Sequence, residues 1–123
     1  MKAHMDWFDL TVPNAEQAKD FYYQVVGFTS SPVPVEDHTD YCMNSPEDGK
    51  TICGICHSKG INADIPPVWL VYFNVENIEQ SIEKTLQLGG QLITPLKTVN
   101  GNSKMIVIQD PSGAYCALYE SEK

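Results

Sequence analysis

The sequence predicts an α+β protein built from two tandem βαβββ modules. The first observation is an internal repeat: Val12-Pro13-Asn14-Ala15-Glu16-Gln17-Ala18 recurs as Val75-Glu76-Asn77-Ile78-Glu79-Gln80-Ser81, 63 residues further on in a chain of 123. The second is shared context. A strand-like run precedes each copy, Trp7 to Val12 and Trp69 to Val75, and a helical pattern follows it. The third is the turn chemistry behind each helix, which divides the rest of each half into three strands.

The elements follow in order. Asn14 and Asn77 are expected N-caps, with Gln17 and Gln80 at the third helical position of a capping box. Glu16 and Glu79 sit in the first turn, where the helix dipole favours negative charge. Ala18, Phe21, Tyr22, Val25 and Val26 recur at helical spacing in the first helix. Ile78, Ile82, Thr85 and Leu86 do so in the second. Gly27 and Gly89-Gly90 end the helices.

The first half then predicts strands at 28–35, 38–44 and 50–57. Pro32 and Pro34 mark the first of these as an edge strand. The second half predicts strands at 91–98, 103–109 and 114–120, with Asp110-Pro111-Ser112-Gly113 as a tight turn. The organisation is one domain, 1–123, with a first module at 1–58, a polar linker at 59–67 and a second module at 68–123.

Composition excludes several functions. Eight lysines face sixteen acidic residues, a net charge of −8, and there is no arginine. Such a chain is ill suited to nucleic acid or an anionic membrane, and it has no bidentate clamp for phosphate. No apolar run is long enough to span a bilayer and no leader pattern opens the chain, so a cytoplasmic protein is expected. Cys42, Cys53, Cys56 and Cys116 are then expected as thiols.

Leu10-Thr11-Val12-Pro13-Asn14, Ala18 to Tyr22, Val26-Gly27-Phe28, Leu88-Gly89-Gly90 and Asp110 to Ala114 together resemble the vicinal oxygen chelate superfamily, the glyoxalase / bleomycin-resistance / dioxygenase group. The likeness runs from about residue 4 to 120. It implies that the paired modules form a curled mixed sheet around a central cup, with the helices outside. Strand alternation then sends Leu10, Val12, Val71, Phe73, Val75, Cys116 and Leu118 under the helices. Trp7, Asp9, Thr11, Leu70, Tyr72, Asn74, Tyr115, Ala117 and Tyr119 face the other way.

Metal-dependent members of that superfamily hold a divalent ion with His and Glu. One ligand lies near the start of each module's first strand and one near each module's last. Here the resemblance places those positions on Trp7, Leu70, Ala117 and, less directly, Cys53. Trp, Leu and Ala offer no ligand atom, so no cofactor is expected. A displaced divalent metal held by groups such as Asp9, His57, Asn74 and Gln109 is the alternative.

Cys53-Gly54-Ile55-Cys56-His57 matches the C-x-x-C-H haem signature, but strand alternation separates the two thiols, and two buried or half-buried thiols with a rim histidine are expected instead. His4 reads as a solvated terminal residue. His38 reads as exposed in an acidic hairpin loop from Glu36 to Asp40.

Two functions follow. The first is metal-independent binding of a small, flat or cationic organic molecule. Trp7, Tyr72, Tyr115 and Tyr119 would supply aromatic walls, with Asp9, His57, Asn74 and Gln109 as polar contacts. The tyrosines are equally compatible with a plain core. The second is a glyoxalase-like lyase or dioxygenase-type enzyme, either with Asp9 as general acid or base or with a displaced metal. A homodimer is expected, since the resemblance implies pairing and open sheet edges favour it.

Overall fold

The computed structural model describes residues 3–122. The chain divides into two compact units: Phe8–Trp69, and Leu70 onward together with the chain up to Trp7. Each is a small mixed sheet with one helix.

In the Phe8–Trp69 unit the elements are β1 (Ala3–Val12, which starts in the other unit), α1 (Ala15–Val26), β2 (Thr29–Val35), β3 (His38–Asn44) and β4 (Thr51–His57). The strand order is β2-β3-β4-β1. β1 and β4 are parallel, pairing Asp9 with Gly54 and Leu10 with Ile55. β2 lies at the end of the order and every one of its residues is exposed, as Pro32 and Pro34 require of an edge.

The Asn14 side chain accepts the Gln17 backbone N–H at 3.0 Å and starts α1. Gly27 ends it in the left-handed region at φ 81°. The core joins Leu10, Ala15, Met43, Cys53 and Ile55, with Val12, Ala18, Tyr22, Phe28 and Tyr41 packed against them. The contact stripe of α1 is therefore Ala15, Ala18 and Tyr22. Phe21, Val25 and Val26, expected to share it, are 55%, 61% and 47% exposed.

The second unit contains β5 (Trp69–Val75), α2 (Ile78–Gln87), β6 (Gln91–Leu92), β7 (Lys97–Val99), β8 (Ser103–Gln109) and β9 (Tyr115–Glu120). Its order is β5-β9-β8-β6, with β7 also on β8. Asn77 repeats the cap, accepting the Gln80 N–H at 3.0 Å. Ile78, Ile106, Ile108 and Leu118 form the core with Phe73, Val75, Ile82 and Cys116. Leu86, expected in that face, is exposed.

The strand expected over 91–98 is broken. Ile93 and Thr94 both send their N–H to the Val107 carbonyl, the Thr94 hydroxyl accepts the Val107 N–H, and Pro95 follows with no N–H to give. The segment between the modules is more than a polar spacer: it holds a short 3-10 turn, Gly60–Asn62, and buries Ile65. No helix among the described residues is long and apolar enough to cross a membrane.

Candidate functional site

Leu10, Val12, Phe73, Val75, Cys116 and Leu118 pack in the two helix-side cores. Their neighbours in sequence take the opposite faces.

In the second unit that face carries Tyr72 and Asn74 on β5, Tyr115 and Tyr119 on β9 and Gln109 on β8, all half-buried, with Trp7 of β1 in the same unit. The register pairs Tyr72 with Ala117, Asn74 with Tyr119 and Gln109 with Tyr115. Leu70, Val107 and Ala117 on this face are fully buried. The Asn74 amide donates to His4 Nε2 at 3.1 Å, so His4 has a partner beyond solvent. The Gln109 amide donates to the Gly113 carbonyl at 3.1 Å and thereby braces the β8–β9 turn.

Asp9 and His57 belong to the other unit, on β1 and β4. The Cys56 thiol donates to Asp9 Oδ2 at 3.6 Å. Burial first, then the Asp9 and Asp40 carboxylates, push the Cys56 thiol far above its ordinary range. Cys53 points to the helix-side core and is raised to about 11, chiefly by burial. The two thiols of the C-x-x-C-H segment thus lie on opposite faces, and all four cysteines are free.

His57 is not a rim residue. Its backbone N–H donates to Asp40 Oδ1 at 2.9 Å, and its ring Nδ1 lies 3.4 Å from the same oxygen. His38 and Asp40 also depart from the expected solvated loop. Glu36 and Asp37 alone form the turn, with Val35 paired to His38. Asp40 is buried, and the His38 side chain is only 11% exposed. The strand expected over 38–44 begins where the sequence placed it, but reading 36–40 as one solvated polar run hid the burial of its first residues. Alternation from Cys42 back to Asp40 and His38 was the signal available.

The superfamily's ligand positions can be tested against the register. Asp9 pairs with Gly54 as Tyr72 pairs with Ala117, at the same spacing within each half. The first-half equivalent of Ala117 is therefore Gly54, one residue beyond the expected Cys53. Cys53 belongs to the helix-side core. Trp7, Gly54, Leu70 and Ala117 carry no imidazole, carboxylate or thiolate, so these positions do not fit a metal.

A further feature was not foreseen. A groove of about 620 Å³ lies beside α1, bordered by Val12, Gln17, Ala18, Phe21, Tyr22 and Trp69. Trp69 Nε1 donates to the Tyr22 hydroxyl at 3.0 Å, and the two rings meet edge-to-face.

Tandem βαβββ units, with paired first and last strands in each, define a glyoxalase-type fold. Residues 4–118 match the Glyoxalase/Bleomycin resistance protein/Dioxygenase superfamily, and the chain belongs to it. Among curated relatives, "Putative glyoxylase CFP32" of Mycobacterium bovis is 25% identical over 119 residues, covering 96% of this chain and 46% of that protein. The anthracycline biosynthesis protein DnrV of Streptomyces peucetius is 28% identical over 125 residues, covering 92% and 45%. The chain thus spans about half the length of the curated relatives it matches. A solved superfamily member from Vibrio splendidus matches with a TM-score of 0.61 at 13% identity, covering 98% of this chain and 100% of the other.

Proposed function

We propose that this chain binds a small, flat or cationic organic molecule, and that it does so without a metal at the superfamily's ligand positions. The observation that carries the reading is the residue set at those positions: Trp7, Gly54, Leu70 and Ala117 have no donor atom to give. The binding surface is the aromatic face of the second unit, where Trp7, Tyr72, Tyr115 and Tyr119 are half-buried and Asn74 and Gln109 supply hydrogen bonds. Aromatic faces suit a planar ring or a cation, and the net charge of −8 draws cations to the protein. The kinship with an anthracycline biosynthesis protein suits a planar aromatic ligand.

The protein acts by sequestration, in the cytoplasm, where its free thiols are stable. Two copies pair. The exposed Phe21, Tyr23, Val25 and Val26 of α1 are an apolar surface of the kind that pairing covers. Analytical ultracentrifugation reads that state directly.

The test of binding is a fluorescence titration with planar cationic aromatics, on wild type and on Tyr72→Ala and Tyr115→Ala. The reading expects saturable binding that each variant weakens about tenfold, the scale of one lost aromatic contact. Binding that both variants leave unchanged removes this face from the function.

A further inference from the structure

We propose a divalent transition-metal site formed by His38, Asp40 and His57, away from the positions the superfamily uses. It lies where the start of β3 meets the end of β4. One ligand atom from each of the three residues lies within 4.8 Å of the other two, and the three form the one such group of metal-ligating side chains among the described residues. Asp40 Oδ1 is 3.4 Å from His38 Nε2 and 3.4 Å from His57 Nδ1. Two donors bound to one tetrahedral zinc, each about 2.0–2.1 Å away, stand about 3.3–3.4 Å apart. The two spacings from Asp40 Oδ1 match that value, and the third, between the imidazoles, lies within 4.8 Å.

The hydrogen bonding around His38 points the same way. Its Nδ1 lies 3.0 Å from Asp37 Oδ1. A carboxylate can only accept, so Nδ1 carries the hydrogen. In the neutral ring Nε2 then presents a lone pair. That atom is buried and makes no hydrogen bond, although it faces the Asp40 carboxylate. Asp40 Oδ1 accepts the His57 N–H at 2.9 Å, and a cation between it and His38 Nε2 would give the unpartnered nitrogen its partner. The Asp37–His38 pair is also the arrangement that orients a metal-binding imidazole from behind. The His38 and His57 rings meet edge-to-face with centroids 5.4 Å apart, so each packs against the other.

Two imidazoles and one carboxylate favour Zn²⁺, Co²⁺, Ni²⁺ or Fe²⁺ over Mg²⁺ or Ca²⁺, and leave coordination positions open. The inference departs from the sequence-based expectation that no cofactor is held. It does not depend on the ligand proposed for the aromatic face.

The experiment uses the whole chain, stripped with chelator and then titrated with Co²⁺ and with Zn²⁺ alone. One Co²⁺ per chain is expected, with visible ligand-field bands and no near-ultraviolet thiolate-to-cobalt band. Zn²⁺ should displace it. His38→Gln and His57→Gln should each weaken binding about a hundredfold, and Asp37→Asn about tenfold, the scale of a lost orienting partner. Circular dichroism confirms that each variant is folded, and any unfolded one is replaced by the Asn variant at the same position. No uptake of either metal at about 1 mM, an affinity far below that of protein zinc sites, overturns the proposal and leaves a proton as the cation on His38. Uptake that survives loss of both histidines, or a thiolate band abolished by Cys56→Ser, overturns it in favour of another site.

Discussion

Asp9 and Cys56, 47 positions apart, meet across the parallel β1–β4 pair, where the thiol donates to the carboxylate at 3.6 Å. Burial is the largest cause of the raised thiol, and the carboxylate charges add to it. A thiol so placed is a poor nucleophile, because the thiolate is the reactive form. Cys53 is held up to about 11 by the same main cause. Native protein at pH 8 should therefore alkylate with iodoacetamide at Cys53 and Cys56 at least about tenfold more slowly than unfolded protein. Asp9→Asn should speed Cys56 only in part, since burial remains. Peptide mass spectrometry over time reads both rates. Fast labelling of Cys56 in the native protein would contradict this placement.

Gly90 is fixed by space rather than by a left-handed backbone. A Cβ there would fall 2.8 Å from the Gln109 carbonyl oxygen and 3.0 Å from that of Thr85, both backbone atoms. The Gly90 N–H also donates to the Thr85 carbonyl at 2.8 Å, which ties the end of α2 to the strand that follows. Neither neighbour can swing aside. Gly90→Ala should cost about 1–3 kcal/mol, the range of an overpacked site. Urea denaturation measures it, with a lower midpoint and an unchanged slope.

Much of this fold was legible because the repeat states it twice. Asn14 and Asn77 each cap a helix and accept an N–H three residues on, as a capping pattern with period-2 strands before it requires. What failed was whatever depended on tertiary packing. Helical spacing could not tell Tyr22, which packs against the core, from Phe21, which stays exposed. The break between β6 and β7 came from Thr94 competing with the ladder, an effect of one hydroxyl. Parity sent Leu10, Val12, Phe73, Val75, Cys116 and Leu118 to the helix-side cores, but it did not find the partners of His57, which the register pairs with Val12. His38 and Asp40 share β3, but His57 lies 17 positions from Asp40, and only the β3–β4 hairpin brings it to them.

The two N-caps allow a controlled comparison. Each side chain accepts one orphan helix N–H at 3.0 Å in an exposed setting. Asn14→Ala and Asn77→Ala should each cost about 1 kcal/mol, the usual worth of such a cap. The caps stand on different helices and share no partner, so the double variant should cost the sum within about 0.5 kcal/mol. Thermal and urea unfolding of the four proteins closes the cycle. Strong non-additivity would mean that the two helices do not contribute independently.

Asp110 supplies the pH dependence of the β8–β9 turn. Its Oδ1 accepts the Ser112 hydroxyl at 2.5 Å, the Ser112 N–H at 2.8 Å and the Ala114 N–H at 3.1 Å. These bonds, the Ser112 hydroxyl foremost, hold the carboxyl below its ordinary 3.8. A carboxyl lowered in the folded state stabilises the protein above its unfolded value. That stabilisation is lost as pH falls through the lower folded value. Asp110→Asn keeps an acceptor at the turn but cannot titrate. Wild type should therefore melt higher than the variant by a constant margin between about pH 6 and 8, where an ordinary carboxyl is fully ionised. The margin should shrink once the pH drops below 3.8. Melting curves across that range decide the point, and a margin that widened in acid would show that the carboxylate is not what the turn holds.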